Sequence, residues 1–275
     1  MQLNSYLPEK ISLVQGQGSH TEAKERGIQA TLEASLRVAK PNLKNKYNYY
    51  HIDLHSGSGY NEKVGCDGSP VAFLNATDKV NVSRYKAFFI EKDAGNASRL
   101  RHRPGVLNND RVEVIEGDNR DGLNYVMQKL AKANEEPRFM LGSVLCDPNG
   151  YFGRSVPHLQ MESFFRTFVR FDIILNLNIT QFKRQRGLVE QGSKGWGDRF
   201  NPYPSTLPRV FNKEHWYVRR ALGSGHRFIM MVGRNFDLQR NAHEKAGFHR
   251  IESADGQLIL RNAERHGDTS RLALS

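Results

Sequence analysis

The hydrophobic residues of this 275-residue chain form short continuous runs that alternate with segments of helical spacing. Runs rich in Ile, Leu, Phe and Tyr are typical of buried β-strands, and here they predict strands at 49–54, 86–91, 111–116, 139–146 and 171–178. Helical spacing predicts helices at 21–40, 69–75, 94–103, 121–134 and 156–169. Ser69 is the expected N-cap of the second helix. Beyond residue 220 we predict a strand at 226–232, a helix at 238–246 and a strand at 247–252 paired as a hairpin with 257–260.

Regular alternation of strand and helix predicts parallel strands with right-handed crossovers and helices on both faces. We therefore predict an α/β, Rossmann-like, doubly wound and mostly parallel sheet of seven strands within residues 48–260. Residues 1–47 are expected to form an N-terminal helical extension, and residues 261–275 a polar tail. Residues 181–220 interrupt the alternation, and we interpret them as an insertion.

The polar residues of interest follow the ends of the predicted strands. Asp53, Glu91, Asp118, Asp147 and Asn176 each lie at or just after the end of an apolar run. Because ligands of open parallel sheets bind at the carboxyl ends of the strands, these side chains are expected to line one crevice.

The first strand leads into an acidic residue and a Gly-x-Gly turn, Asp53 followed by Gly57 and Gly59. Glycines allow a backbone to pass close to a ligand, and a carboxylate favours a ligand with positive charge. S-adenosylmethionine, which carries ammonium and sulfonium groups, is the predicted cofactor. Position 62 is Glu62 rather than the third glycine of the dinucleotide fingerprint, which disfavours a nicotinamide oxidoreductase. A tight turn without a ligand is the alternative.

The next two strands end in further acceptors. Glu91 is placed to accept both ribose hydroxyls, or else to complement the dipole of the following helix. Asp118, beside Asn119, is placed to accept from an adenine amino group, or else to cap the next helix.

The Asp-Pro turn after the fourth strand is the predicted reaction site. An exocyclic amine is activated when Asp147 and the carbonyl of Pro148 accept its hydrogens, with Asn149 as a third acceptor and Tyr151 or Phe152 as the stacking ring. A plain turn that ends a strand is the alternative.

Charge favours a polyanionic partner. The chain holds 40 Lys and Arg against 29 Asp and Glu, a net charge of +11. Segment 181–220 has nine basic and three acidic residues with interleaved aromatics, including both tryptophans. We predict that this segment binds nucleic acid, and an irregular insertion that covers the cofactor is the alternative. The residues assigned to this role are Lys183, Arg184, Arg186, Lys194, Trp196 and Arg199.

Other classes of function find little support. Two distant cysteines form neither a metal motif nor a disulfide framework, and the histidines show no metal spacing, so no metal is expected. The N-terminus has no signal-peptide pattern and no apolar run is long enough for a membrane span. We expect a cytoplasmic protein that acts without a membrane; its oligomeric state is left open.

The ordered motifs at 51–59, 88–93, 116–119 and 145–150 resemble those of class I S-adenosylmethionine-dependent methyltransferases, most closely the three-Cys-motif partner proteins. The turn at 147–150 is also similar to the Asp-Pro-Pro-Tyr signature of adenine-N6 methyltransferases, but Asn149 replaces the second proline and Gly150 the aromatic residue. His55 replaces a glycine common in the first motif. The resemblance implies a methyltransferase fold. It implies that the cofactor is bound by Asp53, Ser56, Gly57, Gly59, Glu91, Lys92, Asp118 and Asn119.

Together these features predict a methyltransferase that acts on nucleic acid, with adenine N6 in DNA as the first target and an RNA base as the second. The rival prediction is a protein that keeps the fold and the cofactor but has no catalytic activity.

Overall fold

A computed structural model of the chain describes residues 21–43, 47–62, 64–133, 135–148, 156–179, 204–220, 228–236 and 240–265. The strands are β1 (Tyr49–Asp53), β2 (Tyr60–Asn61), β3 (Cys66–Asp67), β4 (Tyr85–Glu91), β5 (Val112–Glu116), β6 (Leu141–Cys146), β7 (Phe171–Asn178), β8 (His215–Arg220), β9 (Phe228–Arg234) and β10 (His249–Arg250).

Eight α-helices accompany these strands in the described ranges. They are α1 (Thr21–Ala39), α2 (Ser69–Val80), α3 (Ala94–Arg101), α4 (Asn119–Ala131), α5 (His158–Thr167), α6 (Leu207–Phe211), α7 (Arg240–Lys245) and α8 (Ala254–Arg265). Short 3₁₀ turns occupy Lys40–Asn42, Pro137–Phe139 and Pro204–Thr206.

Eight of the described strands form one sheet in the order β10-β8-β9-β7-β6-β1-β4-β5, and β2 and β3 form a separate hairpin. The strands β5, β4, β1, β6 and β7 are parallel, whereas β9 runs antiparallel between β7 and β8. From β1 the chain first builds outward through β4 and β5, and then returns to place β6 on the other side of β1. The topological switch point, where such sheets bind ligands, therefore lies between β1 and β6.

Both faces of the sheet are covered, which explains why its central strands are continuous apolar runs. Alternate residues of β1 enter different cores: Tyr50 and Ile52 pack with α4, α5, α6 and α8, whereas Tyr49 packs with α1, α2 and α3. The prediction of a doubly wound, mostly parallel α/β sheet is confirmed, but the sheet has eight strands rather than seven.

The helix α1 is part of this packing. Its residues Ile28, Leu32 and Leu36 are fully buried in the second core, and Ser35 lies 3.5 Å from the ring of His243 on α7. The N-terminal helix thus packs directly on the sheet, and its first turn reaches the edge where β6 ends, where Lys24 donates to Asp147.

Two predictions near the C-terminus are wrong. Residues 215–220 were interpreted as the end of an insertion, but they form strand β8 inside the sheet. Basic residues interrupt the apolar pattern of this strand. Residues 257–260 belong to helix α8 rather than to a hairpin. This helix buries the side chains of Ile259, Leu260 and Ala263, whereas Leu258 is exposed. This spacing is helical, but the short apolar run within 257–260 does not by itself distinguish a helix from a strand.

The start of α2 also differs from the prediction. Gly68 precedes the helix as its N-cap, Ser69 is the first helical residue, and the helix continues to Val80. No helix in the described ranges is long and apolar enough to cross a membrane.

Candidate functional site

Strand β1 delivers Asp53 to the switch point and fixes the turn that follows. Asp53 is fully buried; its Oδ2 accepts the hydroxyl of Ser69 at 2.6 Å and its Oδ1 accepts the backbone N–H of His55 at 3.0 Å. Burial raises the pKa of Asp53 to about 7, although both hydrogen bonds oppose the shift. The carboxyl of Asp53 therefore joins the end of β1 to the first turn of α2.

The glycine turn is held against β4 by Glu91. Its Oε2 accepts the backbone N–H of Gly57 at 2.7 Å, and its Oε1 accepts that of Asp93 at 2.8 Å. Ser56 is buried, and its N–H donates to the carbonyl of Ile90 at 3.1 Å. These bonds place a half-buried carboxylate beside the turn, with lone pairs left for further donors.

The two glycines serve different purposes. Gly57 has φ +61° and open space where a Cβ would lie, so its backbone conformation is what requires glycine. At Gly59, with φ +74°, a Cβ would lie only 2.7 Å from Cδ1 of Leu100 on α3. Its left-handed backbone, together with close packing against α3, accounts for Gly59 without a ligand.

Asp118 and Asn119 lie at the start of α4. Asp118 caps this helix by accepting the N–H of Arg120 at 3.0 Å, and this hydrogen bond lowers the pKa of Asp118. Nζ of Lys92 lies 3.5 Å from Oδ2 of Asp118. Nδ2 of Asn119 lies 3.0 Å from Nε2 of His55. The capping alternative for Asp118 is therefore present in the structure, and the start of α4 is joined to the β1 turn.

Asp147, after β6, contacts Asn176, which was predicted to line the same crevice, and Lys24, which the sequence analysis did not single out. Its Oδ2 accepts from Nζ of Lys24 at 2.6 Å, and its Oδ1 accepts from Nδ2 of Asn176 on β7 at 2.7 Å. The Lys24 and Asp147 side chains are only 12% and 11% exposed. Burial opposes ionisation of both groups, but their attraction outweighs it: the pKa of Asp147 is lowered and that of Lys24 is raised. Asp147 is thus held as a carboxylate.

Helix α1 brings a second charged residue to this point. Oε1 of Glu25 lies 3.3 Å from Nζ of Lys24, and burial raises the pKa of Glu25 to about 7 despite that neighbour. Neither residue was predicted from the sequence, although the sequence contains a signal for Lys24. Lys24 continues the buried stripe of Ile28 and Leu32 by one helical turn, so it must lie on the face of α1 that meets the sheet.

This edge of the sheet is short of hydrogen-bond donors. Oε2 of Glu25 and Oδ1 of Asn176 are buried and accept no hydrogen bond from any residue that the structure describes. Such an atom costs about 1–3 kcal/mol when nothing donates to it. Glu25 and Asp147 share the ammonium of Lys24, and the nearby carboxyl of Asp53 raises the pKa of Glu25 further. This set of groups fits a ligand that brings positive charge and N–H donors.

Several predicted residues lie outside the described ranges. These are Asn149, Tyr151, Lys183, Arg184, Arg186, Lys194, Trp196 and Arg199. In the described part of the basic segment, residues 204–220, the tryptophan and two of the basic side chains pack inside the protein. Trp216 is buried on β8, Nζ of Lys213 packs over the ring of Phe165, and Arg219 donates to the carbonyl of Ala246 at 2.6 Å. Residues 215–220 form β8 within the sheet, so the interpretation of the whole of 181–220 as an insertion does not hold for them.

Among the described residues, no group of three or more His, Cys, Asp and Glu side chains is arranged to hold a metal ion.

No protein-family model matches the chain, and no curated protein sequence matches it. Solved structures give distant likenesses. A Legionella pneumophila protein of family DUF519 is 12% identical, with 88% of this chain and 92% of that chain covered and a TM-score of 0.49. Human methyltransferase-like protein 13, in complex with SAH, is 16% identical, with 85% and 91% covered and a TM-score of 0.47.

A DUF574 protein from Streptomyces avermitilis is 13% identical, with 79% of this chain and 84% of that chain covered and a TM-score of 0.48. At these identities and TM-scores, the likenesses define neither the family nor the activity of this chain.

Proposed function

We propose that this chain is an S-adenosylmethionine-dependent methyltransferase that acts on an amino group of a nucleic acid base, with adenine N6 in DNA as the first candidate and an RNA base as the second. One observation carries the proposal: four adjacent parallel strands end in acidic residues around the switch point. Glu91 and Asp147 each lie two residues beyond the register partners of Asp53, so they flank the turn after β1. Asp118 follows β5.

The residues present fit the cofactor. The free lone pairs of Glu91 suit ribose hydroxyls, and Asp118 with Asn119 suits the adenine. The acidic side chains at this edge of the sheet suit a ligand with ammonium and sulfonium charges. When bound, the cofactor would supply an electrophilic methyl group. The protein contributes the position and the electrostatics of the acceptor.

Asp147 is the proposed acceptor of a hydrogen from the target amine, with the Pro148 carbonyl as the second acceptor. The low pKa of Asp147 keeps its carboxylate ionised, and Asn176 fixes its orientation. An amine whose hydrogens are held by these two oxygens turns its lone pair toward the methyl donor.

The nucleic acid part of the proposal is supported by charge. The net charge is +11, and the predicted contacts within 183–199 are basic and aromatic. The exposed side chains of Lys92, Arg99 and Arg120 add positive charge along the helices that follow β4 and β5.

The test is methyl transfer from labelled cofactor to DNA, RNA and protein in parallel. We expect label in a nucleic acid, with nucleoside mass spectrometry to name the base. Asp147→Asn should abolish transfer and keep cofactor binding. Asp172→Asn is the matched control: Asp172 is also buried in an ion pair, with Arg234 at 2.7 Å, but at the opposite edge of the sheet. Transfer only to protein would contradict the proposed substrate, and full activity of Asp147→Asn would contradict the mechanism.

A second candidate is a cofactor-binding protein without catalytic activity. The observation in its favour is that both carboxyl oxygens of Asp147 already accept hydrogen bonds, from Lys24 and Asn176. Cofactor binding by calorimetry, with no transfer to any of the three substrates, would support this candidate instead.

A further inference from the structure

The carboxyl of Asp53 has no exposed surface through which a ligand could reach it. It is fully buried, and each of its oxygens already accepts a hydrogen bond, from Ser69 and from His55. It therefore acts on the turn and on α2 rather than on an incoming group, and the ammonium of an amino-acid ligand needs a different partner.

Glu25 on α1 has the capacity that Asp53 lacks. Its side chain is 12% exposed, one of its oxygens lies beside Lys24, and the other is buried with no donor among the described residues. A buried polar atom with no partner requires an explanation, such as a ligand or an ordered water. Asn176, which donates to Asp147, is 1% exposed. Its Oδ1 is a second buried acceptor with no donor among the described residues.

We propose that Glu25 binds the ammonium group of the amino-acid part of the cofactor. The inference rests on the proposed function, which supplies a ligand with such a group, and it assigns the contact to α1 rather than to the β1 turn. Helix α1 then belongs to the binding site, because it supplies a carboxylate that the sheet edge does not.

Protonation supports the assignment. Among the described residues, the titratable groups that face Glu25 are Lys24 on the same helix, Asp53 after β1, Asp147 after β6 and Cys66 on β3. With its pKa at about 7, Glu25 is partly protonated near neutral pH before binding. An ammonium beside it favours the carboxylate, so binding should release a proton. Asp53, whose pKa is also about 7, is the other group able to release one.

The test compares three ligands by titration calorimetry: S-adenosylhomocysteine, its analogue without the amino group, and 5′-methylthioadenosine, which lacks the whole amino-acid part. Glu25→Gln should weaken S-adenosylhomocysteine by about tenfold or more and leave the other two unchanged. Titrations in buffers of different ionisation enthalpy should show proton release that Glu25→Gln reduces. Glu22→Gln is the matched control, since Glu22 lies on the same helix but is exposed and paired with Arg26.

The outcomes are distinguishable. Equal weakening of all three ligands would make Glu25 a structural residue and overturn the inference. An unchanged affinity for S-adenosylhomocysteine would also overturn it and assign the unpartnered oxygen to a water. If the wild-type protein binds none of the three ligands, the proposed function itself fails.

Discussion

The contact between Lys24 and Asp147 should be an energetically coupled pair, and a double-mutant cycle measures it directly. The two side chains are 12% and 11% exposed and 2.6 Å apart. Removing one partner of such a buried pair leaves an uncompensated charge, which costs about 3–5 kcal/mol. Asp147 keeps Asn176 as a donor, and Lys24 keeps Glu25 nearby. We therefore expect the lower end, about 3 kcal/mol for Lys24→Met.

The cycle combines Lys24→Met, Asp147→Asn and the double variant in equilibrium urea unfolding. Asn at 147 keeps an acceptor for Asn176 and removes only the charge. We expect a coupling free energy of about 2 kcal/mol at neutral pH, and a melting temperature for Lys24→Met lower by about 6–12 °C.

The coupling should also depend on pH with a defined sign. The pKa of Asp147 is lowered in the folded state, so its contribution is present above its ordinary value of 3.8 and is lost as the pH falls below it. A coupling below about 0.5 kcal/mol at neutral pH would refute the inference that this pair is buried and mutually stabilising.

Three further predictions concern residues of the sheet edge and the core. Glu91→Ala should weaken S-adenosylhomocysteine binding by about tenfold, because Glu91 fixes the N–H of Gly57. For Asp53, a raised pKa means that its contribution to stability is lost as the pH rises from 3.8 to about 7. The unfolding free energy of the wild-type protein should therefore fall over this pH range, and Asp53→Asn should remove on the order of a few kcal/mol of that decrease. Trp216→Ala should cost about 3–5 kcal/mol of stability, since Trp216 is 2% exposed, but leave the DNA affinity of the folded protein unchanged.

Each of these predictions has its own control or contradicting result. Glu116, the register partner of Glu91 on β5, is exposed and pairs with Arg101, so Glu116→Ala should leave binding unchanged. An unaltered pH profile of Asp53→Asn would argue against a neutral carboxyl in the core. Loss of DNA affinity in folded Trp216→Ala would restore Trp216 to the nucleic acid surface.

Much of the central sheet could be predicted from the sequence. β1, β4, β6 and β7 were found within two residues of their ends, because strands buried on both faces are continuous apolar runs. The edge strand β5 was found equally well, although its residues are only partly buried and glutamates interrupt its apolar pattern. The sequence also indicated where the acidic residues meet. Alternation of strands and helices predicts parallel strands, and the carboxyl ends of parallel strands lie at one edge of the sheet. The antiparallel strand β8 was missed because its buried Arg219 and half-buried Arg220 broke the hydrophobic pattern.

The contacts at the candidate site depended on pairings that local patterns do not contain. Lys24 meets Asp147 across 123 residues, and Asn176 meets it across 29. From the sequence, Asp53 was expected to contact the cofactor, and only the fold shows that its oxygens are used by Ser69 and His55.

The sequence by itself determined which segments are strands and helices and which acids follow strand ends, because hydrophobic periodicity is a local property. The tertiary structure alone decided which of those acids are buried, which have partners and which helix joins them. These properties depend on the desolvation and hydrogen bonding that packing creates between segments far apart in the chain.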